Sequence, residues 1–204
     1  MSVNSKVDIC NLALSHIGND ATVINIDQPS DPKELVFAAW YELTREAVLR
    51  EMMPNFALDR IRLSKDSTAP AFGYAHRYII PKTCLRVLGI GNVEDKKNDY
   101  FIGKYLETDV DNPDGLPVRI VRDIKDISLF TSEFIMGFSY RLAENVVLPL
   151  TQDVGKAQWV QAKAAEGMAR LTGINAQENL PVRKSESLFR KARYSHFPTN
   201  AEKK

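Results

Sequence analysis

Cysteine is scarce in this chain: Cys10 and Cys84 are the only two in 204 residues. Two thiols cannot build a disulfide framework, and without a CxxC pair or a Cys/His cluster the sequence offers no zinc site. Buried, free thiols are the expectation. Histidine is nearly as rare. His16, His76 and His196 fall in three separate stretches, and nothing in the sequence brings one of them beside a nucleophile. No run approaches the ~18 apolar residues that a membrane span needs. The opening MSVNSKVDIC also lacks the basic segment, apolar core and small-residue cleavage site of a leader. A soluble protein with no membrane partner, made in a cytoplasm, is expected.

Glycine is too thinly spread for a phosphate cradle. The nearest candidate, LGIGN at residues 88–92, has no third glycine, no Lys-Ser/Thr pair and no following helical pattern, so it reads as a turn or strand bulge. Paired carboxylates occur at Glu94 with Asp95 and at Asp109 with Asp111. The second pair lies in DVDNPDG, which superficially resembles a calcium loop but has neither the terminal glutamate nor flanking helices. A solvated turn is the simpler reading. No catalytic, cofactor-binding or metal-binding residue is assigned, and no enzyme or cofactor is expected.

What the chain does have is the composition of a globular domain, 44% hydrophobic and 26% charged, with a formal charge of +1. The charge is uneven. Residues 183–204 hold seven basic residues against two acidic ones, which leaves the first 182 mildly acidic. In that tail, RKSESLFRKARYSHFP interleaves cations with Phe189, Tyr194 and Phe197. Such a mixture suits nucleic acid or an acidic protein groove, and serves equally as a solubilising extension.

The patterning divides the first 182 residues into helical text at 1–54 and 126–182 around strand-like text at 55–125. Ser5 with Asp8 makes a capping box for a first helix, with Val7, Cys10, Leu14 and Ile17 at helical spacing and Gly18 as its left-handed stop. Asp31 caps a second helix, with Pro32 at its first position and Glu34 in its first turn. That helix is apolar over a wide arc, with Val36, Trp40, Leu43 and Ala47 on one line and Leu35, Ala39 and Met53 elsewhere. Such breadth fits the centre of a bundle or a face shared with another subunit. Pro54 is expected to end it and to push Met53 into extended geometry. Alternating runs follow, including Ile61 and Leu63, residues 74–80, residues 85–90, a hairpin turning at Gly103-Lys104, and residues 117–124. Helical spacing returns near Ser128 with Phe130, Phe134, Phe138, Leu142 and Val146, breaks or kinks at Pro149, and resumes after Thr151–Asp153 in a helix expected to close at Gly173. The predicted class is α+β, a helical bundle with an inserted small antiparallel β-sheet.

Several stretches together resemble the head-to-tail adaptor proteins of short-tailed bacteriophages, the tail tubular protein A family. They are IxNLALxxIG near the start, LREMMPNFALDRIRL at the helix break, APAFGYAHRYIIPKTCLRVLGI, YFIGKYLETD, and LFTSEFIMGFSYRLAENVVLPLT. Leu49, Arg50, Pro54, Asn55, Phe56 and Ala57 largely reproduce the family's helix break, with Met53 close to where the family carries tryptophan. The likeness spans roughly residues 7–175.

The resemblance implies a structural virion protein at the head-tail junction, assembled in the host cytoplasm as a homo-oligomeric, twelve-fold ring between the portal protein and the tail nozzle protein, with duplex DNA passing through it. It also implies that the C-terminal segment grips the portal, which would give Phe189, Arg190, Arg193 and Tyr194 a docking role. Pro54, Asn55 and Phe56 would then be the structural hinge that delivers the chain from bundle to β insertion. The alternative is a nucleic-acid-binding module in which Arg60, Arg62, Arg119 and Arg122, together with the tail, contact phosphates.

Overall fold

A computed structural model of the chain describes residues 3–91 and 99–178. Its fold is α+β. Among the described residues four α-helices are present, α1 (Lys6–His16), α2 (Pro32–Met52), α3 (Ser132–Thr151) and α4 (Val154–Glu178), and six strands lie between α2 and α3: β1 (Leu58–Leu63), β2 (His76–Ile79), β3 (Cys84–Ile90), β4 (Asp99–Ile102), β5 (Tyr105–Thr108) and β6 (Leu116–Arg122).

The helix starts follow the local chemistry of the sequence. Ser5 Oγ accepts the Asp8 amide while Asp8 reaches back to the Ser5 amide. Asp31 and Glu34 form the same reciprocal box at the head of α2. Helix ends follow it less well. Met53 is not extended but left-handed, at φ 48° and ψ 54°, and its N–H closes on the Leu49 carbonyl at 3.0 Å. Proline disfavours the right-handed region for the residue before it, and here Met53 adopts the left-handed alternative, with its N–H bonded to the Leu49 carbonyl. Two further expectations are corrected. Pro149 does not end α3, because it lies on the exposed side of the last turn, where its missing N–H forfeits a single bond; left-handed Gln152 ends the helix instead. Gly173 does not close α4, which runs on to Glu178. A glycine costs a helix roughly 1 kcal/mol but is no stop by itself. Helical structure also resumes later than Ser128: Ile127–Leu129 is a 3-10 turn, and α3 begins at Ser132 behind a Thr131 cap.

The inserted strands form two three-stranded antiparallel sheets rather than one, in the orders β1-β6-β3 and β2-β5-β4. The β4–β5 hairpin turns through Gly103, at φ +58°, and Lys104. Between the sheets lies a small core of Leu63, Tyr78, Leu106, Leu116, Val118 and Ile120. The helices share a larger core that includes Ile9, Phe37, Val48, Phe134, Phe138, Leu142 and Val160. Within it Phe56, Phe130, Phe134, Phe138 and Tyr41 form a chain of ring contacts with centroids 4.8–6.0 Å apart.

Strand β3 joins the two cores. Its pairing with β6 shifts between Cys84 and Arg86 and again between Val87 and Gly89. Each bulge inserts one residue and turns the usual two-residue alternation into a step of three. Cys84, Val87 and Ile90 therefore pack into the inter-sheet core, while Leu85 and Leu88 pack against the helices.

Candidate functional site

Helix α2 buries three polar groups within an apolar face of Phe37, Tyr41, Val48, Leu49 and Met52, and exposes further apolar side chains on its other side. Glu34, Thr44 and Arg45 are buried, whereas Leu35 is 56% exposed, Leu43 63% and Trp40 38%, with Ala39 and Ala47 open along the same side. Residues 35, 39 and 43 recur every four positions, so they form one line on the helix surface. Exposed apolar residues scattered singly need no explanation, but here Leu35, Leu43 and the neighbouring Trp40 share one side of a single helix. Trp159 and Val154 on α4 are exposed as well.

Glu34, Thr44 and Arg45 each have partners, Thr44 Oγ1 accepting from Asn145 Nδ2 at 2.9 Å, whereas the buried Tyr41 hydroxyl has none among the described residues. Arg45, only 1% exposed, donates to the Glu42 carboxylate through Nε at 3.0 Å, to the Ile124 carbonyl at 2.7 Å, and to Asp123. Burial alone would lower its pKa, but the hydrogen bonds it donates to Asp123 and Glu42 leave it raised and the side chain firmly charged. This guanidinium ties α2 to the connection between β6 and α3. Glu34 accepts backbone N–H groups from Ser30, Asn25, Ile24 and Asp31, which pull its pKa down to about 2 and fasten the α1–α2 linker onto the head of α2. Neither role was visible in the sequence of α2. The available signal was Thr44-Arg45 standing on the arc that also carries Tyr41 and Val48.

Pro54, Asn55 and Phe56 lie at the corner between bundle and sheets. Pro54 is buried and its carbonyl accepts the Ala57 amide at 2.8 Å, closing a 3-10 turn. Phe56 packs edge-on against Phe134, Asn55 is exposed, and Arg86 from β3 donates to the Arg50 carbonyl at 3.4 Å just before the corner. Phe189, Arg190, Arg193 and Tyr194 lie outside the described residues, as do His196 and the Glu94–Asp95 pair.

The remaining candidates resolve into structural contacts. Asp109 accepts the Ala75 amide at 3.0 Å, and Asp111 pairs with Lys65 at 2.6 Å, so the calcium-like loop spends its carboxylates on neighbours. The Tyr78 hydroxyl pins that loop, donating to the Val110 carbonyl and accepting the Asn112 amide. Among the described residues no group of three or more His, Cys, Asp or Glu side chains is placed to hold a metal ion. His16 Nε2 lies 3.0 Å from Ser139 Oγ, the spacing of a base and a nucleophile. Ser139 is fully buried and its hydroxyl also reaches the Met136 carbonyl, at 2.9 Å, so the pair reads as a tie between α1 and α3. His16 also stacks on Tyr140 at 3.8 Å, and burial lowers its pKa. Cys10 and Cys84 are free, and burial pushes the Cys10 thiol up to about 12.

The four sheet arginines divide. Arg60 stands directly opposite Arg119, and Arg62 opposite Pro117, so three arginines share the outer face of the β1–β6 pair. Arg122 has the other parity and pairs with Asp59 at 3.2 Å. No helix among the described residues is long and apolar enough to cross a membrane. Set against models of known protein families and against curated protein sequences, the chain matches none.

Proposed function

We propose that the protein is a non-enzymatic virion component, a head-to-tail adaptor at the neck of a short-tailed bacteriophage. Copies close into a ring between the portal protein and the tail nozzle protein and form part of the conduit through which DNA passes. The observation that carries this reading is the exposed apolar line of Leu35, Ala39 and Leu43 on a helix whose other side already packs into the core through Phe37, Tyr41 and Val48. The resemblance of five separate stretches to the adaptor family points the same way.

The mechanism is assembly. A ring requires each copy to offer two different surfaces, so that one face of a copy meets another face of its neighbour and the rotation closes. The α2 line supplies an apolar strip for one of these. Pro54, Asn55 and Phe56 act as the structural hinge that carries the β module away from the bundle, and the basic, aromatic tail docks to the portal through Phe189, Arg190, Arg193 and Tyr194. A mildly acidic body suits a bore through which duplex DNA slides, since each cationic contact adds affinity by counterion release.

Co-purification with the portal encoded beside it tests this reading. Deleting residues 183–204 is expected to leave a folded protein that no longer docks. Undiminished docking would remove the tail from the mechanism, and failure of the intact chain to dock would remove the adaptor function itself.

A further inference from the structure

We propose that the outer face of the β1–β6 pair is a docking surface for the phosphate backbone of duplex nucleic acid, contacted by Arg60, Arg62 and Arg119. Strand register puts the three on one face. They line a shallow hollow with Gly91 and Pro117. Its volume of about 210 Å³ falls below the roughly 300–1,000 Å³ of small-molecule sites, which fits an extended ligand lying across the surface better than an enclosed one. Arg60 and Arg62, two residues apart on a strand, hold their Cα atoms about 6.6 Å from each other along one line, a repeat suited to successive charges on a polymer.

Like charges directly opposite each other, as at Arg60 and Arg119, oppose sheet formation. Among the described residues, Arg60 has no ion pair, and the Arg62 guanidinium donates only to the Gly115 carbonyl at 3.3 Å. The solvent-facing guanidinium forks of Arg60 and Arg62 therefore remain open to a bidentate oxyanion. The hollow contains no aromatic side chain of the kind that anchors a protein partner. Cations without stacking aromatics read as sequence-independent backbone contact. Arg122, turned to the opposite face and paired with Asp59, takes no part.

The proposal does not rest on ring assembly, because a single copy carries the whole face. The two readings also make different demands, since a bore built for free sliding would keep such a face off its wall. The test is binding of a fluorescent duplex DNA to the full-length chain across a salt titration, for the wild type, Arg60→Gln/Arg62→Gln and Arg122→Gln, with polyglutamate as a second probe. Both altered positions of the double variant are exposed, and unchanged melting curves will show that it folds. With about 0.9 counterions released per phosphate contact, the double variant is expected to flatten the plot of log K against log salt by about two units. Arg122→Gln should match the wild type. The proposal is overturned if the intact chain does not bind duplex, or if the double variant keeps the full slope, which would place binding in the tail. It is equally overturned if Arg122→Gln loses as much, or if polyglutamate binds the wild type as tightly as DNA and is lost in the double variant. That last outcome would mark an acidic protein partner instead.

Discussion

The bundle and the β module hold themselves together differently. In the bundle, aromatic rings meet edge-on or tilted along α3 and the turn before it, and are met by aliphatic side chains from the three other helices. In the β module, six fully buried side chains lie between two short sheets, and much of the remaining order comes from polar ties such as the Tyr78 hydroxyl, the Lys65–Asp111 pair, and Arg77 on Glu107 at 2.7 Å. A large core tolerates local loosening, whereas a core of six side chains has little to spare. The difference implies that the module is the less stable unit and opens first, a common property of the parts of a protein that engage partners.

The largest expected effect comes from cutting each core in turn. Phe138→Ala should cost about 3–5 kcal/mol and lower protection from hydrogen exchange throughout the chain. Leu106→Ala should cost about 2–5 kcal/mol but loosen chiefly amides between 58 and 122, leaving α3 protected. Uniform loss of protection in both variants would show that the two units unfold as one. Arg45→Met comes next. It leaves Asp123 facing the bundle without its cation, and a loss of about 3 kcal/mol in denaturant titration is expected; a neutral result would mean that the apolar replacement fits as well as the ion pair.

Acid sharpens the same contrast at the far end of the bundle. The Glu34 carboxyl has its pKa depressed from 4.5 to about 2, so the stability it confers is complete above 4.5 and is lost as pH falls toward 2. Wild type should therefore lose more melting temperature between pH 5 and pH 2.5 than Glu34→Gln, which has no proton to take up. Parallel curves would show that the linker is held by other groups. The smallest effect has the opposite sign. Gly173 lies within α4 with open space where a Cβ would stand, so Gly173→Ala should stabilise by up to about 1 kcal/mol in thermal melts.

How much of this was legible in the sequence depended on the range of the interaction. Caps and turns are decided within four residues, and Ser5–Asp8, Asp31–Glu34 and the Gly103 hairpin could all be read directly. Strand identity was also readable, because alternation in β1 and β6 records burial on one face. Partnership was not. The division into two sheets depends on β6 crossing back between β1 and β3, and the bulges of β3 depend on a bundle that its local sequence does not mention. Met53 was misplaced because proline's steric rule disfavours one region, while the capping bond that accompanies the left-handed one is not written in the proline. The breadth of apolar text on α2 was visible from the start. Which side of it would face outward was not, because burying Arg45 requires Asp123 and Glu42 together, and Asp123 lies on the far side of the β insertion. The tail arginines and aromatics gave a composition without a placement.

The central claim is that this chain joins a portal as a ring of many copies, and particle mass tests it most directly. The purified protein, the portal encoded beside it and their mixture would each be measured by native mass spectrometry. The account predicts a mixture heavier than the portal alone by about a dozen chains, and the gain should vanish for Leu35→Glu/Leu43→Glu, a surface change expected to alter stability by less than about 0.5 kcal/mol. A mixture that shows only the two separate masses would contradict it.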